Sequence, residues 1–402
     1  MSVVIIGAGH GGGTAAAMLR QQGYEGSIVL IGEEPHPPYQ RPPLSKGWLK
    51  SEVDADALTL RPREWYEEAK VDLRTSTRVV RIDREAKTVE LSTGDTVAYD
   101  HLIIATGARA RKLVLPGSDL DGFLELRTIE DAEAIKAWFK PGFRLAIIGG
   151  GYVGLEVAAS ARTLGAEVDV LEREDRLLAR VAGPVLSGFF REVHEGHGVR
   201  FHFGCDIAGF DGLDGHVSGV RMANGDIVGC DAVLVGIGAL PNDELARDAG
   251  LTCDNGVVVD AEARTSDPAI FAIGDMTQRP ISIYDRSLRL ESVPNALEQA
   301  RQAAAAISGA NPPKPETPWF WSDQYDLKLQ IAGLPFDVDQ VVVRGDPASR
   351  KFSVFHLSGG KVQAVEAINM PQDFMVGRMM LAARRSVDPA RLTDVSIPIK
   401  EV

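Results

Sequence analysis

Two glycine runs hold the residues whose spacing most clearly implies chemistry. In VVIIGAGHGG, Gly7, Gly9 and Gly12 stand at GxGxxG spacing, and in LAIIGGGYVGLE, Gly149, Gly151 and Gly154 repeat it. The first glycine of such a set makes a tight turn, and the second lets backbone approach a pyrophosphate. The third lets helix and strand pack closely, with the helix N-terminus facing phosphate. Each unit closes on a carboxylate at the end of its next strand, Glu33 and Glu172. A carboxylate there accepts hydrogen bonds from adenosine ribose hydroxyls. One fingerprint is a weak signal. Two imply two dinucleotides, and the simplest pair is FAD with NAD(P)H, held so that a hydride passes between them.

Glu172 favours NADH, because it repels a 2′-phosphate and accepts a 2′-hydroxyl. Arg173, Arg176 and Arg180 follow it and either cover the adenine or pyrophosphate or form a solvated face. A Pro-rich loop from Pro35 to Lys46 is too long for a plain connector. Its RPPLSK run carries Arg41 and Lys46, and the two prolines are expected to hold it extended. Arg41 would neutralise the FAD pyrophosphate, and a cation such as Lys46 over the isoalloxazine would stabilise the negative charge of reduced flavin.

Several chemistries are disfavoured. His10 sits alone in a phosphate turn with no ligand partners nearby in sequence, so no metal site is expected. Cys205, Cys230 and Cys253 stand far apart, without a CxxC. Flavoproteins that reduce disulfides carry a cysteine pair after the first βαβ unit, and peroxide- or oxygen-reducing relatives carry a single one. Here that region reads PHPPYQRPPLSKGWL and has no thiol. The net charge of −13 argues against nucleic-acid and anionic-membrane binding. No apolar run approaches the roughly 18 residues of a membrane span. The N-terminus enters a strand with no basic leader, so a cytoplasmic location is expected.

The elements that must position these residues form an α/β chain with two Rossmann-like dinucleotide-binding domains. Strands are expected at 3–8 and 27–32 around a helix at 11–22, and again at 144–148 and 167–171 around a helix at 153–164. Further strands are expected at 216–222 and 231–237. The runs HLIIATGAR and TSDPAIFAIGDM read as buried strands ending in glycine turns. The helix NALEQARQAAAAISG closes at Gly309, and a Pro-rich linker opens a small α+β unit with strands KLQIAG, QVVVRG, KFSVFHL and KVQAVEAI and a late helix. The FAD domain is thus split (1–108 and 238–313), with the NAD domain (109–237) inserted and a C-terminal domain at 314–402.

RPPLSK, ATG at Ala105–Gly107, GGGYVGLE, GIGALPN and AIGD stand in this order. In combination they resemble the NADH-dependent ferredoxin reductases of oxygenase systems, which have the glutathione-reductase fold. The segments at 284–301 and 318–327 resemble the members that feed a 2Fe–2S ferredoxin serving a haem-thiolate cytochrome P-450 monooxygenase. Glu291-Ser292-Val293-Pro294-Asn295-Ala296 stands where many dioxygenase-linked members read ESWQNA, which moves the partner toward the monooxygenase type.

The resemblance implies roles residue by residue. Lys46 sits by flavin N5, paired with Glu156 on the nicotinamide side. Thr106 and Gly107 line the FAD chain, and Asp275 accepts hydrogen bonds from the ribityl and pyrophosphate region. Val293 and Pro294 point backbone amides at the flavin pyrimidine edge. Trp321, with Trp319 nearby, caps the flavin edge toward the partner. Arg301, Lys328 and Lys400 are candidates for a basic rim that docks an acidic ferredoxin. Two other readings share the fold. One is an NADH oxidase or peroxidase, disfavoured by the missing cysteine. The other is a nucleic-acid-binding protein resembling apoptosis-inducing factor, disfavoured by the charge. A Rieske dioxygenase system is the alternative destination for the electrons.

Overall fold

The computed structural model describes every residue from Met1 to Val402. The chain divides into two compact units.

The first unit comprises Met1–Gln40, Ala55–Arg109 and Leu240–Trp319. Its centre is a parallel sheet in the order Ile270–Ala272, His101–Ile104, Ser2–Ile6, Ser27–Ile31, Val71–Arg74. Side chains alternate across the strand Ser2–Ile6. Val3 and Ile5 pack with Ala15, Ala16 and Leu19 of the helix His10–Gln21 and with Ala300, Ala303 and Ala304 of the helix Val293–Ser308. Val4 and Ile6 pack on the opposite face with Val79, Ile82, Val89 and Leu91 of a small antiparallel sheet. Both faces are therefore covered, which is why the strand reads as a continuous apolar run. Truncating a fully buried member such as Ile5 to alanine would cost about 2–5 kcal/mol. The helix Val293–Ser308 ends on Gly309, whose φ of 70° supplies the left-handed cap.

The second unit comprises Arg41–Asp54, Ala110–Ala239 and Phe320–Val402. It repeats the plan in a parallel sheet ordered Val199–Phe203, Glu167–Glu172, Arg144–Ile148, Ala232–Val235, Phe123–Leu124. A five-stranded sheet follows in the order Trp319–Gln324, Leu327–Gly333, Lys361–Ile368, Lys351–Ser358, Gln340–Asp346. Its residues Leu329, Ile331, Phe352 and Val354 share one core with Leu155, Leu186 and Phe190 of the helices Tyr152–Thr163 and Pro184–Gly196. That shared core joins the C-terminal sheet to the second fingerprint.

The RPPLSK run departs from expectation. Residues Pro42–Ser45 form a turn of 3-10 helix with Arg41 as N-cap. Proline fixes φ near −65° and needs no N–H donor in a first helical turn, so two adjacent prolines suit a helix start as well as an extended chain. The strand Trp319–Gln324 was not expected either.

Candidate active site

The two glycine turns are built alike. Gly7 has φ of 108° and Gly149 φ of 104°, where any side chain would be strained. A Cβ on Gly12 would stand 1.9 Å from Gly7 O, and one on Gly154 2.6 Å from Gly149 O, so only glycine lets helix meet strand. The middle glycines differ: a Cβ on Gly9 or Gly151 would meet nothing within 4 Å. These two residues are also the N-caps of their helices, and neither helix has a side-chain cap or an acidic residue in its first turn. The space beside each N-cap is therefore open and no side chain caps the helix, as an anion-binding helix terminus requires.

Strand register gathers the other first-unit residues at one sheet edge. Ile6 pairs with Ile31 and Ile104, and Ile104 with Ala272. The Gly7 turn, Glu33, Thr106–Gly107 and Asp275 consequently all follow the carboxyl ends of neighbouring parallel strands, where open α/β sheets bind ligands. Thr106 Oγ1 donates to Asn242 O at 2.7 Å, and Asn242 Nδ2 returns a bond to Thr106 O at 2.9 Å. Gly274 N–H donates to Gln299 Oε1 at 2.8 Å, which fixes the turn that presents Asp275. Glu33 is exposed, 3.9 Å from Arg78, while neighbouring Glu34 accepts from Tyr39. His10 is the first residue of its helix.

At the helix Val293–Ser308, Ser292 Oγ accepts from Asn295 N–H at 3.2 Å. Pro294 has no N–H. The expectation that Val293 and Pro294 both offer amides is corrected: only Val293 can.

In the second unit, the carboxylate of Glu172 accepts from Gly150 N–H at 2.6 Å and from Glu174 N–H at 2.9 Å, so it braces the fingerprint turn. Arg176 donates to Ala179 O, Ala182 O and Ser187 Oγ, which makes it a structural tie. Arg173 and Arg180 are exposed.

Lys46 and Glu156 meet. Lys46 Nζ lies 2.7 Å from Glu156 Oε2, and Glu156 is 5% exposed. Ser45 Oγ donates to the same oxygen at 2.5 Å, and Ser160, one helical turn beyond Glu156, donates to Ser45 O at 2.8 Å. Residues at i and i+4 share a helix face, so Glu156 and Ser160 together grip the 3-10 turn. Arg41 Nη1 donates to Arg127 O at 2.5 Å. On the far side of Glu156, Ser322 Oγ donates to Oε1 at 2.6 Å. Along the strand Trp319–Gln324, Ser322 and Gln324 are buried while Trp319, Trp321 and Asp323 alternate with them and are partly exposed. Tyr152 packs edge-on against Phe320, and its hydroxyl is shielded from solvent with no partner. Burial raises that phenol's pKa well above its ordinary value. Ser45, Ser160, Ser322 and Gln324 were missed in the sequence. The i,i+4 spacing of Glu156 and Ser160 and the i,i+2 spacing of Ser322 and Gln324 were the available signals.

The remaining candidates are dispersed. Arg301 is paired with Glu316 at 2.5 Å and half-buried, whereas Lys328 and Lys400 are exposed. The three cysteines are free, and burial raises all three thiols, Cys230 to about 12, so none is a thiolate near neutrality. No helix is long and apolar enough to cross a membrane.

Comparison with known proteins agrees with this geometry. The family model described as pyridine nucleotide-disulphide oxidoreductase matches residues 1–300, and one described as reductase C-terminal matches residues 319–402. The chain belongs to the pyridine nucleotide-disulphide oxidoreductase family. Within it, the chain is 50% identical over 398 residues to the probable ferredoxin reductase CtmF of Castellaniella defragrans, covering 99% of this chain and 97% of that one. It is 45% identical over 400 residues to rhodocoxin reductase of Rhodococcus erythropolis, covering 100% and 94%. The crystal structure of the covalent putidaredoxin reductase–putidaredoxin complex is similar with a TM-score of 0.97 at 41% identity, covering 100% of this chain and 97% of that one. Relatives named for dioxygenase systems also match over the full chain. The chain is a ferredoxin–NAD(P)+ reductase flavoenzyme of oxygenase systems.

Proposed function

We propose that this enzyme takes electrons from NADH, through FAD at the first fingerprint, to a 2Fe–2S ferredoxin that serves a cytochrome P-450 monooxygenase. The observation that carries the reading is the pair of open glycine cradles, each ending in uncapped helix amides. Both fit a pyrophosphate. Bound flavin accepts electrons in pairs and releases them singly, which matches a hydride donor to a one-electron acceptor.

This chain's own residues then have separable tasks. Gly7, Gly9, Gly12, Glu33, Arg41, Thr106, Gly107 and Asp275 hold FAD, with Val293 supplying an amide to the pyrimidine edge. Gly149, Gly151, Gly154 and Glu172 hold NADH, and Glu172 selects it over NADPH. Lys46, fixed by Glu156, places a positive charge where reduced flavin gains a negative one. Trp321 faces the partner. The division into split FAD, inserted NAD and C-terminal domains is a division of these tasks.

The Ser292-Val293-Pro294 helix start supports a monooxygenase-type partner, since many dioxygenase-linked members carry tryptophan and glutamine in place of Val293 and Pro294. The test is NADH turnover with purified 2Fe–2S ferredoxins from a P-450 system and from a Rieske dioxygenase system. A higher kcat/KM with the first is expected, and a preference for the second would reassign the partner.

A further inference from the structure

Glu156 is reached from its far side by a buried chain of groups to which the reaction above gives no task. Ser322 Oγ lies 2.6 Å from Glu156 Oε1, Gln324 Nε2 lies 3.1 Å from Ser322 Oγ, and Gln324 Oε1 lies 2.8 Å from His194 Nε2. Tyr325 OH lies 3.4 Å from the other ring nitrogen of His194. Ser322 is 1% exposed, Gln324 1% and His194 0%.

The direction of every bond follows from one fact. A carboxylate only accepts. Ser322 must therefore spend its single proton on Glu156, and its oxygen must accept from Gln324. Only the amide nitrogen of Gln324 can donate, so its oxygen faces His194. That oxygen needs a donor, so His194 is protonated on Nε2 and its Nδ1 accepts from Tyr325. Burial holds the imidazole neutral, with its pKa pushed down to about 4, and His197 stacks on the outer face of Tyr325 at 3.8 Å. The chain thus points its donors one way, toward Glu156.

We infer that Ser322, oriented by Gln324 and His194, is a positioning residue that fixes the orientation of the Glu156 carboxylate and keeps it within reach of Lys46. Ser45 and Lys46 satisfy Oε2, and Ser322 is the side-chain donor on Oε1. Without it, one oxygen of a buried carboxylate loses a charge-assisted bond. The carboxylate is then free to rotate, and Lys46 loses its anchor. This inference rests on the assignment of Lys46 and Glu156 to flavin reduction.

The test uses the holoenzyme with Ser322→Ala, Ser322→Thr and Gln324→Met. The carboxylate stretch of Glu156 is identified in the infrared by difference against Glu156→Gln, and flavin reduction by NADH is followed separately in a stopped-flow instrument. In Ser322→Ala the band should shift, and reduction should slow about tenfold with flavin content intact. Ser322→Thr, which keeps the hydroxyl, should restore both. Gln324→Met should shift the band in the same direction by less, and it carries the test if Ser322→Ala fails to fold. An unmoved band and rate in Ser322→Ala, or no rescue by Ser322→Thr with full flavin content, overturns the inference. Lys46→Ala separates the two claims: if it slows reduction while Ser322→Ala does not, only the positioning role falls, and if neither has an effect the assignment of Lys46 falls too.

Discussion

Lys46 Nζ stands 2.7 Å from Glu156 Oε2, and the two side chains are 17% and 6% exposed. A pair so placed is costly to half-remove, because the surviving charge stays buried. Lys46→Ala and Glu156→Ala should slow flavin reduction by NADH about a hundredfold while FAD binding weakens much less. Each single variant should also lose a few kcal/mol of stability, and the double variant Lys46→Met/Glu156→Gln should lose less than either. Stopped-flow reduction, flavin content and denaturant melts check all three statements. An unchanged rate in Lys46→Ala would remove the charge-stabilising role.

Glu172 braces the second glycine turn and, on the proposed reading, also selects the nicotinamide cofactor, so its substitution should show both. NADH should be preferred to NADPH by at least about tenfold, since a 2′-phosphate facing this carboxylate is repelled. Glu172→Gln should narrow that ratio. Because Glu172 also braces Gly150 and Glu174 through their amides, the variant should raise the KM for NADH as well. Steady-state kinetics with both cofactors decides it, and equal turnover with both in the unmodified enzyme would show that Glu172 is not at the ribose.

His194 gives a pH signature of stability. Its folded pKa lies near 4, below the unfolded value, because burial disfavours the charged ring. The unfolded chain binds the extra proton first, so stability should be intact above about pH 6.5 and fall as pH drops toward 4, by roughly 3 kcal/mol across that window. Denaturant titrations at several pH values should show this slope, and His194→Gln should flatten it. A slope unchanged in the variant would assign the acid sensitivity to other groups.

The glycine cradles, the paired carboxylates at strand ends and the doubly covered strand Ser2–Ile6 were legible because each is a local pattern with one physical reading. Register did the rest, carrying Thr106 and Asp275 to the Gly7 edge without any local signal beyond a glycine turn. The meeting of Lys46 with Glu156 came from resemblance to a family, since no local pattern links an RPPLSK loop to a distant helix. Ser322 was legible only as the i,i+2 neighbour of Gln324: its bond to Glu156 spans 166 residues, and a serine between Trp321 and Asp323 announces nothing by itself. The amide expected of Pro294 failed on covalent chemistry, and the extended RPPLSK loop failed because proline suits two backbone shapes.

Of the three basic candidates for docking, the structure separates one. Arg301 is already neutralised by Glu316, while Lys328 and Lys400 are exposed. Against a net charge of −13, an acidic ferredoxin needs a local cationic rim. Lys400→Glu should raise the KM for ferredoxin several-fold and leave NADH-to-flavin transfer intact. Arg301→Glu should act more weakly on docking and should also disturb the linker that Glu316 belongs to. Ferredoxin-dependent turnover should fall with salt, while reduction of a small artificial acceptor changes little. Turnover indifferent to salt and to both substitutions would move the docking surface elsewhere.

The most direct test of the whole account is an anaerobic electron count. The holoenzyme, excess oxidised 2Fe–2S ferredoxin and a limiting amount of NADH are mixed, and reduced ferredoxin is measured by its visible absorbance. The account predicts two ferredoxins reduced per NADH consumed, at catalytic enzyme concentration. NADH that stays unused until oxygen or peroxide is admitted, with no reduced ferredoxin formed, would contradict it.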